Sequence, residues 1–178
     1  WVAALSSKES FEFAGRNGHY IMDIPMGGGL MTELIGAYRE EWKSAGNPGN
    51  GKIMLSFSMC ADEDGAAARD AFRTPLNAYL ARLVDAASGW LNDASTKDYK
   101  GYDKIIASLK EDDFDKQLDR GICWAGSCTE ISDMIADFDR QIGGFDIASM
   151  HVMPHVMEAS VAEKSMRLFS EHVMPKFS

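Results

Sequence analysis

Trp1-Val2-Ala3-Ala4-Leu5-Ser6-Ser7-Lys8-Glu9-Ser10-Phe11 opens the chain and runs on to Gly18-His19-Tyr20-Ile21-Met22. The apolar run breaks abruptly into serines. Phe11, Ala14, Gly15 and Gly18 then recur at i, i+3, i+4 and i+7, the spacing of one helix face. Gly18 closes this helix, and His19–Met22 reads as a second strand. The unit is strand–loop–helix–strand, with hydroxyls and amides gathered at the helix N-terminus. Such a place favours an anion, because unpaired N–H groups point outward and the helix dipole is positive there. The same residues also spell a capping box, with Ser6 bonding the amide of Glu9 and Glu9 reaching back. A cap and a phosphate site can coexist, and spacing alone leaves both open.

At 178 residues, 46% of them hydrophobic, the chain is long enough to bury a core and too apolar for disorder to be the default. No window approaches the ~18 continuous apolar residues of a membrane span, and no signal peptide is visible. A net charge of −9 disfavours a nucleic-acid partner, since phosphate binding runs on an excess of Lys and Arg. The odd trio Cys60, Cys123 and Cys128 suggests reduced thiols in a cytoplasmic setting. Cys123 and Cys128 are too far apart for a C-x2-C knuckle, and no metal site is expected. The chain begins on Trp1 inside an apolar strand, so residues belonging upstream are expected to be absent.

Beyond Met22, Gly27-Gly28-Gly29 leads into a helix with the stripe Met31, Leu34, Ile35, Tyr38 and Trp42, stopped by Gly46–Gly51. Lys52–Cys60 reads as a strand with Ile53, Leu55, Phe57 and Met59 on one side. Met54, Ser56, Ser58 and Cys60 fall on the other, mixed and small, as in a parallel strand with helices outside. A long helical region from about Asp64 to Trp90 follows, with Pro75 expected to kink or split it. Leu91–Gly121 is polar and reads as an insertion with short helices. Ser127 and Glu130 form a second capping box, ahead of Ile131, Met134, Ile135, Phe138 and Ile142 at helical spacing and the stop Gly143-Gly144. Phe145–Met153 is the last strand, and Met157–Pro175 a closing helix. Alternating strands and helices predict a parallel sheet with right-handed crossovers. Four parallel strands, near Val2–Leu5, Tyr20–Ile24, Ile53–Cys60 and Ile147–Val152, make half of an α/β (β/α)8 TIM barrel. Its two outer strands would present free edges.

Three stretches resemble the bacterial luciferase-like family of flavin-dependent monooxygenases. Val2–Ser10 through Gly18-His19 is similar to the family's fifth strand and following helix. Gly126-Ser127-Cys128-Thr129-Glu130-Ile131 resembles its Gly-Ser/Thr-Pro-Glu-Glu-Val helix start, with Cys128 in place of the usual proline. Met166–Pro175 resembles its terminal helix and Val-Met-Pro close. The resemblance covers nearly the whole chain as the C-terminal half of the family's barrel, residues 1–178, with the insertion at about 91–121.

The resemblance implies a flavin-dependent monooxygenase that uses reduced FMN, supplied by a separate flavin reductase, and molecular oxygen to oxygenate a small organic substrate. Hydroxyls and amides after the fifth strand hold the FMN phosphate in the family. Ser7 and Ser10 fall on those positions, with Ser6 beside them where some members carry an acid. The insertion corresponds to a lid, where Lys100, Tyr102 and Lys104 are weighed against solvated surface. A homo- or hetero-dimer is expected in the cytoplasm. Alternatives are a deazaflavin-dependent oxidoreductase on the same fold, or a flavin-binding half-barrel without turnover. No catalytic residue is assigned, because the family's known ones lie mostly in the other half. Among lesser candidates, His151 sits on the last strand and His155 in the loop after it, where barrel enzymes place active-site groups. Ser58 and Cys60 end a strand at the same rim.

Overall fold

The computed structural model describes residues 1–5, 7–91, 107–154 and 156–177. Its centre is the strand β3 (Ile53–Ala61), to which three other strands are bound. β2 (Ile21–Asp23) pairs with its first residues, and β1 (Val2–Ala3) pairs with β2. β5 (Ile147–His151) runs along Met54–Ser58, and β4 (Cys123–Gly126) along Ser58–Ala61. Every pairing is parallel, as the alternating strand–helix order predicts. The four expected strands neighbour one another in the expected order, each shorter than its hydrophobic run. The sheet nevertheless has five strands, not four. The extra strand β4 is four residues long and buried on both faces, so it carries no alternation by which to recognise it.

The register of β5 is set by one side chain. Asp146 donates its amide to the Ile53 carbonyl and accepts the Ile53 amide on its carboxylate, 2.9 Å in each case. With β5 so held, the faces of the sheet sort by parity. Ile53, Leu55, Phe57 and Met59 are all at most 1% exposed and face the outer helices. These are α1 (Lys8–Arg16), α2 (Gly28–Ser44), α5 (Cys128–Ile142) and α6 (Ala159–His172). The predicted stripe of α2, Met31 to Trp42, is buried in this core. Phe57 stacks on Trp124 of β4 at 3.8 Å between ring centroids and meets Phe138 of α5 edge-on. Burial of these rings is the main term holding the outer layer to the sheet.

Helix ends follow the local chemistry. Gly18 takes φ +67° after α1, and Gly143 takes φ +78° at the C-cap of α5, both left-handed turns that glycine adopts freely. The Arg39 guanidinium from α2 donates to the Gly143 and Gly144 carbonyls, tying two neighbouring helices together. The capping box of Ser127 and Glu130 is present in full.

Two expectations require correction. Pro75 does not split its segment: α3 (Gly65–Leu91) is a single helix. Proline removes one intrahelical hydrogen bond, but Phe72 before it and Leu76 and Leu80 after it bury in one cluster, which holds both halves in place. The region 91–121 is also not all loose connection. Its C-terminal part contains α4 (Phe114–Asp119), N-capped by Asp113 and anchored by the fully buried Phe114. Lys100, Tyr102 and Lys104 lie outside the described residues.

Where α1 crosses α2, a Cβ on Gly15 would lie 2.3 Å from the Tyr38 carbonyl oxygen, whereas one on Gly36 would meet nothing within 4 Å. Gly15→Ala is therefore expected to push the helices apart and destabilise by about 1–3 kcal/mol. Gly36→Ala, in the interior of α2, should stabilise by about 0.5–1 kcal/mol. Urea unfolding of the two variants checks both signs.

Candidate functional site

The face of the sheet turned away from the outer helices is built in rows by the strand registers. Ala3, Met22, Met54 and Ile147 are partners across β1, β2, β3 and β5 and form an apolar row at the N-terminal end. Ser56 pairs with Ser149 above it, and Ser58 with His151 above that. The polarity thus rises toward the C-terminal ends of the strands, the end at which (β/α)8 enzymes place their chemistry. Cys60, Cys123 and Ala125 continue this face and are covered by Phe72, Leu76 and Leu80 of α3 with Phe114 of α4, so these two helices roof its upper end.

His151, the last residue of β5, is half-buried under that roof, its ring edge-on to Tyr79 of α3 at 4.7 Å. Burial pushes its pKa below the ordinary value, so the imidazole is neutral near pH 7. Ser58 is half-buried beside it, while Cys60 is only 1% exposed, and burial pushes its thiol up to about 11. Cys60 is thus an inert packing residue. His155 lies outside the described residues. Tyr79 was legible only as one member of an apolar helix stripe, and its packing against His151 had no signal in spacing.

At the end of β1 the serine loop leads into α1. The N-cap is Ser7, not Ser6: its Oγ accepts the Ser10 amide at 3.4 Å and the Ser10 hydroxyl at 3.2 Å. Ser7 in turn donates its own hydroxyl to the Glu9 carboxylate at 3.2 Å. The reciprocal Ser6–Glu9 box is therefore replaced by a Ser7 cap in which Glu9 binds the hydroxyl. Ser6 lies outside the described residues. Ser7 and Ser10 are brought together, half-buried, at the start of a nine-residue helix on the C-terminal side of the sheet. Here the loop already presents a hydroxyl to an anionic oxygen, that of an exposed side chain.

On the opposite face, a groove of about 1010 Å³ opens between α5 and α6 beside β5. Its acidic residues Asp139 and Asp146 are committed to backbone amides and Arg140 to Asp137, which leaves an apolar lining without reactive groups. The inner face is the chemically equipped one.

Residues 1–144 match the family model of luciferase-like monooxygenases. The chain belongs to this family. Among solved structures it is similar to the monooxygenase RslO1 from Streptomyces bottropensis, with 23% identity and a TM-score of 0.70 over 99% of this chain and 47% of that one. It is also similar to the FMN-bound oxygenating constituent of 3,6-diketocamphane monooxygenase from Pseudomonas putida, with 18% identity and a TM-score of 0.74 over 99% and 48%. The coenzyme F420-dependent tetrahydromethanopterin reductase from Methanopyrus kandleri shares the fold as well, with 16% identity and a TM-score of 0.64 over 99% and 50%. No curated protein sequence matches the chain. The chain spans about half the length of these solved structures. Among the described residues no helix is long and apolar enough to cross a membrane.

For this luciferase-like chain, the depressed pKa of His151 has a consequence for stability. The unfolded chain binds a proton at the ordinary histidine pKa, while the folded chain binds it only at lower pH. Stability is therefore undiminished by this group above the ordinary pKa and falls as pH drops through it toward the folded value. His151→Phe should flatten that part of the profile, measured as the urea midpoint between pH 5 and 8. An unchanged slope would assign the acid sensitivity to other groups.

Proposed function

We propose that residues 1–178 form the C-terminal half of the barrel of a flavin-dependent monooxygenase, which uses reduced FMN and molecular oxygen to oxygenate a small organic substrate. The observation that carries this reading is the pairing of Ser7 and Ser10 at the N-terminus of α1, on the C-terminal side of a parallel sheet, in a chain of the luciferase-like family. A phosphate there would accept from the two hydroxyls and from first-turn amides, replacing the exposed Glu9 carboxylate. Ser6 adjoins this loop and is assigned to the same phosphate. Bound FMN supplies the reaction with oxygen, which no side chain on this chain performs. The chain's own residues bind and orient: Ser6, Ser7 and Ser10 hold the phosphate, while Met22 and Met54 offer an apolar wall to a flat ring. The segment 91–121, together with α3, would exclude water from above.

A separate flavin reductase would deliver the reduced cofactor. The family's place in a cytoplasmic, dimeric enzyme belongs to the same proposal. A deazaflavin cofactor is the second reading, favoured by the F420-dependent reductase among similar structures. Mass spectrometry of the cofactor retained by the full-length protein separates FMN from deazaflavin.

In the full-length protein, Ser7→Ala with Ser10→Ala is expected to weaken FMN binding more than tenfold. Each hydrogen bond to a charged group contributes roughly 1.5–3 kcal/mol. Ser127→Ala, which removes the cap of α5, should cost about 1 kcal/mol of stability and leave FMN affinity unchanged. Fluorescence titration of FMN reads both. If the Ser7/Ser10 variant loses stability but keeps its FMN affinity, the serines are a cap and nothing more.

A further inference from the structure

The inner face offers hydrogen-bond donors without formal charge. Its apolar row, Ala3, Met22, Met54 and Ile147, is followed by Ser56 and Ser149, then by Ser58 and His151. None of these side chains is a cation or a carboxylate. Asp23, the acidic residue of β2, pairs with Leu55 and so belongs to the opposite face, where it is 6% exposed. A sulfonate or carboxylate brought to this row would lose water and find no countercharge, which is costly. A hydrocarbon would fit the apolar row and leave the half-buried donors above it unpaired. A neutral molecule with one hydrogen-bond acceptor beside an apolar body matches both.

We propose that Ser58 and His151 form a subsite that binds the carbonyl oxygen of a neutral ketone or aldehyde, with Tyr79 of α3 positioning the imidazole. The two residues are register partners at the C-terminal ends of adjacent parallel strands, so their side chains leave the sheet on one face at neighbouring points. The Ser58 hydroxyl and a His151 ring N–H donate, and the carbonyl oxygen accepts two bonds. Tyr79 lies edge-on to the His151 ring at 4.7 Å, limiting the directions in which its N–H can point. The apolar row below takes the alkyl part of the molecule. The burial that keeps the imidazole neutral also suits it to a neutral ligand. This inference deepens the monooxygenase reading and rests on it for the substrate's fate, but the binding step stands on the strand registers alone.

The probes are 2-decanone, decane and decane-1-sulfonate, titrated into the full-length protein without flavin. The ketone should bind at least several-fold more tightly than either of the others. Ser58→Ala and His151→Phe should each weaken ketone binding about two- to tenfold, the range for a neutral hydrogen bond, and leave decane unaffected. His151→Asn keeps a donor and should recover part of the loss. Tyr79→Phe keeps the ring and should bind like wild type, whereas Tyr79→Ala should resemble His151→Phe. The carbonyl stretch of 13C-labelled 2-decanone should move to lower frequency on binding and partly return in Ser58→Ala, a readout that a purely structural role would not move. Equal losses for ketone and decane, tighter binding of the sulfonate, or an unshifted stretch would each overturn the subsite. A parallel FMN titration separates the two levels. Lost FMN binding with the ketone pattern intact overturns only the monooxygenase reading, and the converse result overturns only the subsite.

Discussion

The structure depends on the register of β3. Its nine residues alternate between two environments, and three strands read that alternation from it. A slip of one residue would turn Ile53, Leu55, Phe57 and Met59 onto the inner face and send Met54, Ser56 and Ser58 into the aromatic core. Asp146 blocks that slip, because its amide and carboxylate both engage Ile53 and no other residue of the strand. The outer core and the inner polar rows are therefore two consequences of one constraint. Ser58 meets His151 for the same reason that Phe57 meets Trp124.

What sequence alone revealed follows the length over which a pattern could repeat. The nine residues of β3 and the seventeen of α2 carry several periods each, and their buried faces are the predicted ones. Caps with a glycine stop or an S-x-x-E signature were equally plain at α5. β4 was not legible, because Cys-Trp-Ala-Gly is too short to show a period and is buried on both sides. Pro75 was misread because its local penalty is certain, whereas the compensating burial of Phe72, Leu76 and Leu80 against β3 and β4 is a tertiary fact. The site was half legible. Ser7 and Ser10 stand together as their spacing implied, but the encounter of Tyr79 with His151 joins residues from distant elements and leaves no local trace.

The two capped helices show why one N-terminus suits a ligand and the other does not. At α5 the Glu130 carboxylate accepts the Ser127 amide at 2.7 Å and the Arg69 guanidinium at 3.0 Å. The Ser127 backbone and hydroxyl, with Arg69 behind them, hold the Glu130 carboxyl below its ordinary range, so the charge is satisfied from inside the protein. Gly65 completes the closure, since a Cβ there would lie 2.0 Å from a Glu130 oxygen. Nothing can enter without dismantling the box. At α1 the carboxylate comes from Glu9, an exposed residue within the first turn that binds the Ser7 hydroxyl and can swing into water. Its position two residues from the cap does not bring it back onto the backbone as Glu130 is brought. The dipole and the paired hydroxyls of Ser7 and Ser10 thus face an anion that can be exchanged. An FMN phosphate carries more charge and more acceptor oxygens than that carboxylate, and it would displace Glu9 without breaking the Ser7–Ser10 amide cap, which is why capping and phosphate binding need not compete at this helix.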